Sequence, residues 1–190
     1  MLIGITGMAR SGKDTVGNYL VQNGFHLYKM AYPLKKCIAQ RFGLTFDEVD
    51  SGDWRDQPSD MFGYNHLQSF TNEIKFFSLR SWMQWLGTEV GRDIFGKDAW
   101  IIPMIAEWEN IKNQNLPGMV ITDIRFDNEA KAVIDLGGTI VRVIRPNIIG
   151  VEDHASEAGI DDKYITDNIM NDSDIPTLLS NAKKIFNINI

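Results

Sequence analysis

Apolar and polar positions follow two alternating periods along the chain. Short apolar runs at Leu2–Thr6, Met119–Asp123 and Thr139–Ile144 have the length and composition of buried strands, Phe25–Met30 alternates like a strand, and Tyr164–Ile169 suggests a last one. Between them apolar residues recur every three or four positions, the spacing of one helix face. Val16, Tyr19 and Leu20 predict a first helix over Gly12–Asn23, stopped by Asn23-Gly24. Pro33 opens a second helix that runs to Phe42. Leu79, Trp82, Met83, Leu86 and Val90 form the stripe of a third over 79–90, and Ile101, Met104, Ile105, Trp108 and Ile111 that of a fourth. Ala130, Val133 and Ile134 mark a helix from Asp127 through Leu136, and Leu178, Leu179 and Ile185 a last one over 175–186, capped from Asn171–Asp174.

Strands alternating with helices predict a mostly parallel sheet of about five strands covered on both faces. The pattern weakens between 44 and 78, where Asp47, Glu48, Asp50, Asp53, Asp56 and Asp60 cluster and Gly52, Pro58 and Gly63 interrupt. This stretch reads as an irregular insertion with one short helix near Phe46–Val49. The whole, 1–190, reads as a single domain with that insertion and a candidate lid around 145–160.

Composition narrows the function classes. Of 190 residues 44% are hydrophobic, enough for a substantial core. A net charge of −6 argues against a broad nucleic-acid surface, so a nucleotide ligand is expected to be a small molecule in a local positive pocket. The single Cys37 excludes an internal disulfide and a Cys-rich zinc site and fits a reducing, cytoplasmic setting. The first apolar run is too short for a signal peptide, and no apolar stretch reaches bilayer length.

The chemistry starts directly after the first strand. Gly7-Met8-Ala9-Arg10-Ser11-Gly12-Lys13-Asp14-Thr15 has the glycine and lysine spacing of a phosphate-binding P-loop, between a strand and a helix start. Without a Cβ, Gly7 and Gly12 let the backbone turn sharply and approach a ligand. Successive N–H groups and the helix N-terminus then cradle an anion, and Lys13 can reach the outer phosphates. Asp14 stands where a hydroxyl usually follows the lysine, with Thr15 next. Asp14 suits a hard cation or the helix dipole.

Other candidates sit at strand ends and on one helix. Asp123 ends a strand, with Arg125 two residues on: a metal or water partner beside a phosphate clamp. Asp127 reads as a helix cap. Arg145 ends the next strand, where it would stack on a base, reach a phosphate or lie solvated. Arg80, Gln84 and Gly87 share a stripe at i, i+4 and i+7, either a phosphate-and-base contact or a solvent-facing side. Lys35 follows a strand end, where ligands bind in open α/β sheets, whereas Lys36 and Arg41 read as a solvated face. Trp82 and Trp85 read as core, His66 as a surface histidine, and His154 as positioning or structural rather than a catalytic base.

Gly12-Lys13-Asp14-Thr15, Ala31-Tyr32-Pro33-Leu34-Lys35, Arg80 with Gln84-Trp85-Leu86-Gly87-Thr88-Glu89 and Arg92, Thr122-Asp123-Ile124-Arg125-Phe126-Asp127-Asn128-Glu129, and His154 with Ser156-Glu157 together span most of the chain. In this set and order the chain resembles the bacteriophage deoxynucleoside monophosphate kinases of the P-loop NMP-kinase group. Tyr32 stands where that family usually has Asp, and Asp127 where Pro is more frequent. The resemblance implies a three-layer α/β/α P-loop NTPase fold with a helical insertion or lid, and transfer of the γ-phosphoryl of ATP to a dNMP. It implies an ATP site of Gly7, Arg10, Ser11, Gly12, Lys13, Asp14, Thr15 and Arg145, with Mg²⁺ on Asp14 or Thr15 and Asp123 nearby. On the acceptor side it implies Lys35, Arg80, Gln84, Arg92, Arg125 and Glu129, with Lys13, Asp123, Arg92 and Arg125 central to catalysis. Small nucleotides are then the partners, with neither a nucleic-acid polymer nor a membrane, and a homodimer is left open. The alternatives are a kinase for another phosphorylated acceptor, such as dephospho-coenzyme A or phosphomevalonate, and an ATP-binding switch. Arg80, Arg92 and Arg125 favour a kinase, since a switch needs no second anion pocket.

Overall fold

In the computed structural model the described residues are 1–63, 77–146 and 159–187. His66, and His154, Ser156 and Glu157 with most of the candidate lid, lie outside them. The chain runs β1 (Leu2–Thr6), α1 (Lys13–Gln22), β2 (His26–Tyr28), α2 (Tyr32–Phe42), α3 (Phe46–Ser51), α4 (Leu79–Trp85), α5 (Ile101–Ile111), β3 (Met119–Ile121), α6 (Asp127–Asp135), β4 (Thr139–Ile144), β5 (Asp167–Met170) and α7 (Ile175–Phe186). Two compact units result: Met1–Met30 with Ile101–Ile190, and Ala31–Trp100.

The first unit holds a five-stranded sheet in the order β2-β3-β1-β4-β5. Every neighbouring pair is parallel, with Leu2 opposite Met119 and Ile3 opposite Thr139. Side chains alternate between faces along each strand. Ile3, Ile5, Val141 and Val143 pack with Val16 and Leu20 of α1 and with Leu178, Ala182 and Phe186 of α7. The opposite face is covered by α6, whose Ala130 and Val133 are fully buried and which lies against β1 and β4. This is the expected three-layer α/β/α arrangement. No helix among the described residues is long and apolar enough to cross a membrane.

Gly17 lets α1 settle on the sheet. A Cβ there would stand 2.3 Å from Cγ2 of Thr122, just past β3. Gly17→Val should therefore lower the unfolding free energy by about 1–3 kcal/mol, the usual cost of forcing methyl groups into a packed contact. A urea titration with an unchanged midpoint would show that α1 can lift off Thr122 at no cost.

The strands β2 and β3 are shorter than expected, ending at Tyr28 and Ile121, and three further elements differ from the reading of the sequence. The last strand starts at Asp167 rather than Tyr164, because Asp161 accepts a bond from the Lys163 N–H at 3.0 Å and winds Asp162–Tyr164 into a 3₁₀ turn. The helix expected over 79–90 keeps α winding only to Trp85, then widens into π winding over Leu86–Ile94. Trp100 accounts for the change: its indole N–H donates to the Gly87 carbonyl at 2.9 Å, and its ring lies where a Cβ on Gly91 would be, 2.5 Å away. The described acidic part of the insertion, 44–63, finally, holds more regular structure than expected. Thr45 and Glu48 cap α3 reciprocally, 3₁₀ turns follow at Asp53–Asp56 and Asp60–Phe62, and Val49 and Phe62 pack with Leu34, Ile38 and Leu79 in the second unit's core.

Candidate active site

In the first unit β1 lies between β3 and β4. The chain leaves β1 toward the β2 edge and leaves β3 toward the β4 edge, so the connections diverge at the β1/β3 pair. Ligands of open parallel sheets bind at such a switch point, beyond the strand C-termini. The loop 7–12 occupies that position.

Its conformation is set by its glycines and by bonds from distant strands. Gly7 (φ 143°) and Gly12 (φ 103°) take positive φ. A Cβ on Gly7 would lie 2.5 Å from the Val143 carbonyl oxygen, and one on Gly12 2.6 Å from Asn171 Nδ2. Arg10 is also left-handed, at φ 63°. Asn171 Nδ2, just past β5, donates to the Ser11 carbonyl at 2.7 Å. Arg145 Nη1, just past β4, donates to the Arg10 carbonyl at 3.5 Å. Lys13 Nζ folds back on the Met8 carbonyl at 3.3 Å. Ser11 Oγ is buried and has no hydrogen-bond partner among the described residues. A buried hydroxyl left unsatisfied is costly, so loop and hydroxyl together fit an anion that would accept from both.

The end of β3 supplies the acids and one cation. Asp123 Oδ1 accepts the Met30 N–H at 2.8 Å. Burial, then the charges of Glu107 and Asp123, pushes the Tyr28 phenol well above its ordinary value, so it stays a neutral hydroxyl. Glu129, expected on the acceptor side, is a buried carboxylate under the backbone, accepting the N–H groups of Arg125 at 2.9 Å and Phe126 at 3.2 Å. It fixes the loop that carries Arg125. Asp127 is the first residue of α6 rather than its cap, and its Oδ1 accepts the Asp161 N–H at 2.8 Å.

Between these parts lies a cavity of about 490 Å³, lined by Ser11, Lys13, Asp123, Arg125, Arg142, Arg145, Gly159, Ile160 and Asp162 among others. Its cations outnumber its acids, as suits a multiply charged anion. A second hollow of about 690 Å³ is lined by Arg10, Gly12, Lys13, Asp14, Thr15, Arg145, Asn171 and the Ser173–Pro176 stretch. Lys13 and Arg145 line both.

Gly7, Arg10, Ser11, Gly12, Lys13, Asp14, Thr15, Asp123, Arg125 and Arg145 thus gather around two adjoining hollows. Arg142 lines the first hollow and Asn171 the second, and neither belongs to a site motif of the sequence. The signal available for Asn171 was an amide directly after the last strand; for Arg142 it was one charge inside an apolar strand. Lys35, Arg80, Gln84 and Arg92 belong to the second unit. There Lys35 pairs with Asp50. Arg80 grips Asp56 through Nε and through Nη2 at 3.2 Å, and this hydrogen bonding holds the Asp56 carboxyl below its ordinary value. Arg80 and Gln84 share the exposed side of α4, but Gly87 falls in the π-wound stretch, so the expected three-residue stripe ends at Gln84.

The oxygen donors Asp14, Thr15 and Asp123 suit a hard cation, though no group of three or more His, Cys, Asp or Glu among the described residues forms a metal cage. Mg²⁺ carried by a nucleotide needs only one or two carboxylates, because phosphates and waters fill its other positions.

The chain matches the family model "deoxynucleotide monophosphate kinase" over residues 1–57 and 46–182. It is 34% identical to the deoxynucleoside-5′-monophosphate kinase of Escherichia phage T5, over 92% of this chain and 90% of that one. It is 22% identical to the deoxynucleotide monophosphate kinase of Enterobacteria phage T4, over 98% and 99% of the two chains. Among solved structures, a dephospho-CoA kinase from Campylobacter jejuni superposes with a TM-score of 0.55 at 13% identity, covering 98% of this chain and 95% of the other. That likeness shows the shared P-loop kinase fold alone. With the family model spanning nearly all of it, the chain belongs to the deoxynucleotide monophosphate kinase family.

Proposed function

We propose that this chain transfers the γ-phosphoryl of ATP to the 5′-phosphate of a dNMP, giving ADP and dNDP. The observation that carries this reading is the shared cavity: the anion cradle with Lys13, and Arg125, line one space. One pocket can then hold a donor phosphate and an acceptor phosphate side by side.

An oxygen of the dNMP phosphate attacks the γ-phosphorus, and the bond from that phosphorus to the β-γ bridging oxygen breaks, its electrons leaving with ADP. A phosphate monoester is largely a dianion at neutral pH, so the acceptor needs no strong base. Positioning and charge stabilisation dominate. The loop N–H groups and Ser11 Oγ hold the β-phosphate, and Lys13 spans the β and γ oxygens. Arg125 reaches the acceptor phosphate and the transferring group; its planar fork can pair two oxygens at once. Asp14 or Thr15, with Asp123 directly or through water, would hold Mg²⁺, which when bound neutralises charge on the β and γ oxygens. The adenosine of ATP fits the second hollow, along Arg145 and the Ile175–Pro176 surface. The family resemblance adds Lys35, Arg80, Gln84 and Arg92 as acceptor-side candidates, all of them in the second unit. Arg80 and Gln84 share an exposed side of α4, where Arg80 is engaged by the Asp56 carboxylate.

ADP release with ATP, Mg²⁺ and each dNMP in turn tests the proposal. Release should depend on a dNMP. Turnover only with dephospho-coenzyme A or phosphomevalonate would assign a different acceptor, and ATP binding without transfer to any acceptor would make the chain a switch.

A further inference from the structure

The loop bearing Arg125 is held from two sides. From inside, Glu129 accepts its backbone N–H groups. From outside, Asp127 takes the Asp161 N–H at 2.8 Å. Asp161 lies between Ile160 and Asp162, which line the same cavity as Arg125 and Lys13. That stretch is fixed in turn by Arg142 of β4, whose Nη1 donates to Asp162 Oδ1 at 2.5 Å and whose Nη2 donates to the Ile160 carbonyl at 2.9 Å.

Arg142 lines the cavity and could be read as one more phosphate cation. Its contacts argue otherwise. The two terminal nitrogens of its planar group are both engaged, one on a side chain and one on the main chain of the same short segment. This use of the guanidinium fork cannot be copied by lysine, whose ammonium is a compact point charge. The Asp162 carboxylate also offsets its charge. Arg142 is thus a strut for the cavity wall, and Asp127 ties that wall to the Arg125 loop.

We infer that Asp127 and Arg142 are positioning residues of the transfer reaction: through the 160–162 segment they fix where Arg125 stands relative to the P-loop. The inference rests on the proposed role of Arg125. A misplacement of about 1 Å can cost on the order of a hundredfold in rate. The Asp127 bond is exposed and competes with water, so a smaller loss is expected.

The experiment measures kcat, KM for dNMP, ATP affinity and melting temperature for Asp127→Ala, Asp127→Asn, Arg142→Lys and Arg125→Ala. Asp127→Ala and Arg142→Lys should each lower kcat about tenfold with ATP affinity unchanged, since a tenfold loss corresponds to a modest displacement. Asp127→Asn should keep kcat near the parent value, because its amide oxygen accepts the same N–H. A purely structural role would lower the melting temperature and leave kcat alone. Parent-like kcat in Asp127→Ala and Arg142→Lys, with Arg125→Ala inactive, would overturn the inference and leave the Arg125 assignment standing. An Asn variant as slow as the Ala variant would overturn it too, showing that charge and not the bond matters. Should Asp127→Ala not fold, Arg142→Lys and Asp127→Asn still decide. Parent-like turnover in Arg125→Ala would remove the underlying reading itself.

Discussion

Lys13→Ala is expected to lower phosphoryl transfer by about 10²–10³-fold, the usual cost of removing one preorganised donor from a developing charge. That is roughly 3–4 kcal/mol of transition-state stabilisation. The fold should not change. Lys13 opens α1, and Ala is the best helix former. Lys13 Nζ makes a long hydrogen bond, 3.3 Å, to the Met8 carbonyl. The unfolding free energy should therefore stay within about 0.5 kcal/mol of the parent. Steady-state ADP release alongside a thermal melt checks both halves. Unchanged turnover in a folded variant would remove Lys13 from the reaction.

Arg125→Ala should produce a loss of similar size by a different route. Arginines that stabilise a transferring phosphoryl group are worth about 10³–10⁵ in the strongest cases. Here other cavity cations remain, so about 10²–10³-fold is the expected loss in kcat/KM for dNMP. The substitution isolates the side chain unusually well. Glu129 holds the Arg125 and Phe126 N–H groups whatever side chain follows, so the loop keeps its course. ATP affinity should change little. Arg125→Lys should recover only part of the rate, because an ammonium cannot pair two phosphate oxygens in one plane. If ATP affinity alone fell, Arg125 would belong to the donor side.

Much of this arrangement is legible in the sequence, and the parts that are not share a physical cause. The P-loop and β4 can be read directly, because glycine-lysine spacing and a run of β-branched residues are local signals. Thr139–Ile144 is bounded as expected. Asn171 is not legible as a strap for the P-loop, since it meets the Ser11 carbonyl across 160 residues of chain, and periodicity carries no information about such a contact. The π winding after Trp85 is imposed by Trp100, a residue outside the helix. Glu129 could have been found: an acid three residues into a helix and reaching back to backbone N–H groups is a known helix start. Its resemblance-based assignment to the acceptor concealed that simpler reading. In the insertion a run of surface acids hid two buried anchors, Val49 and Phe62, because single apolar residues among charges give no period to detect.

The central claim is that one cavity brings a donor phosphate and an acceptor phosphate together for direct transfer. ATP labelled in its γ-phosphate, incubated with Mg²⁺, a dNMP and the enzyme, tests this most directly. The label should appear in the β-phosphate of the dNDP, and Lys13→Ala and Arg125→Ala should nearly abolish its appearance. Label released as inorganic phosphate with the dNMP unchanged, or left in ATP while both nucleotides are bound, would contradict it.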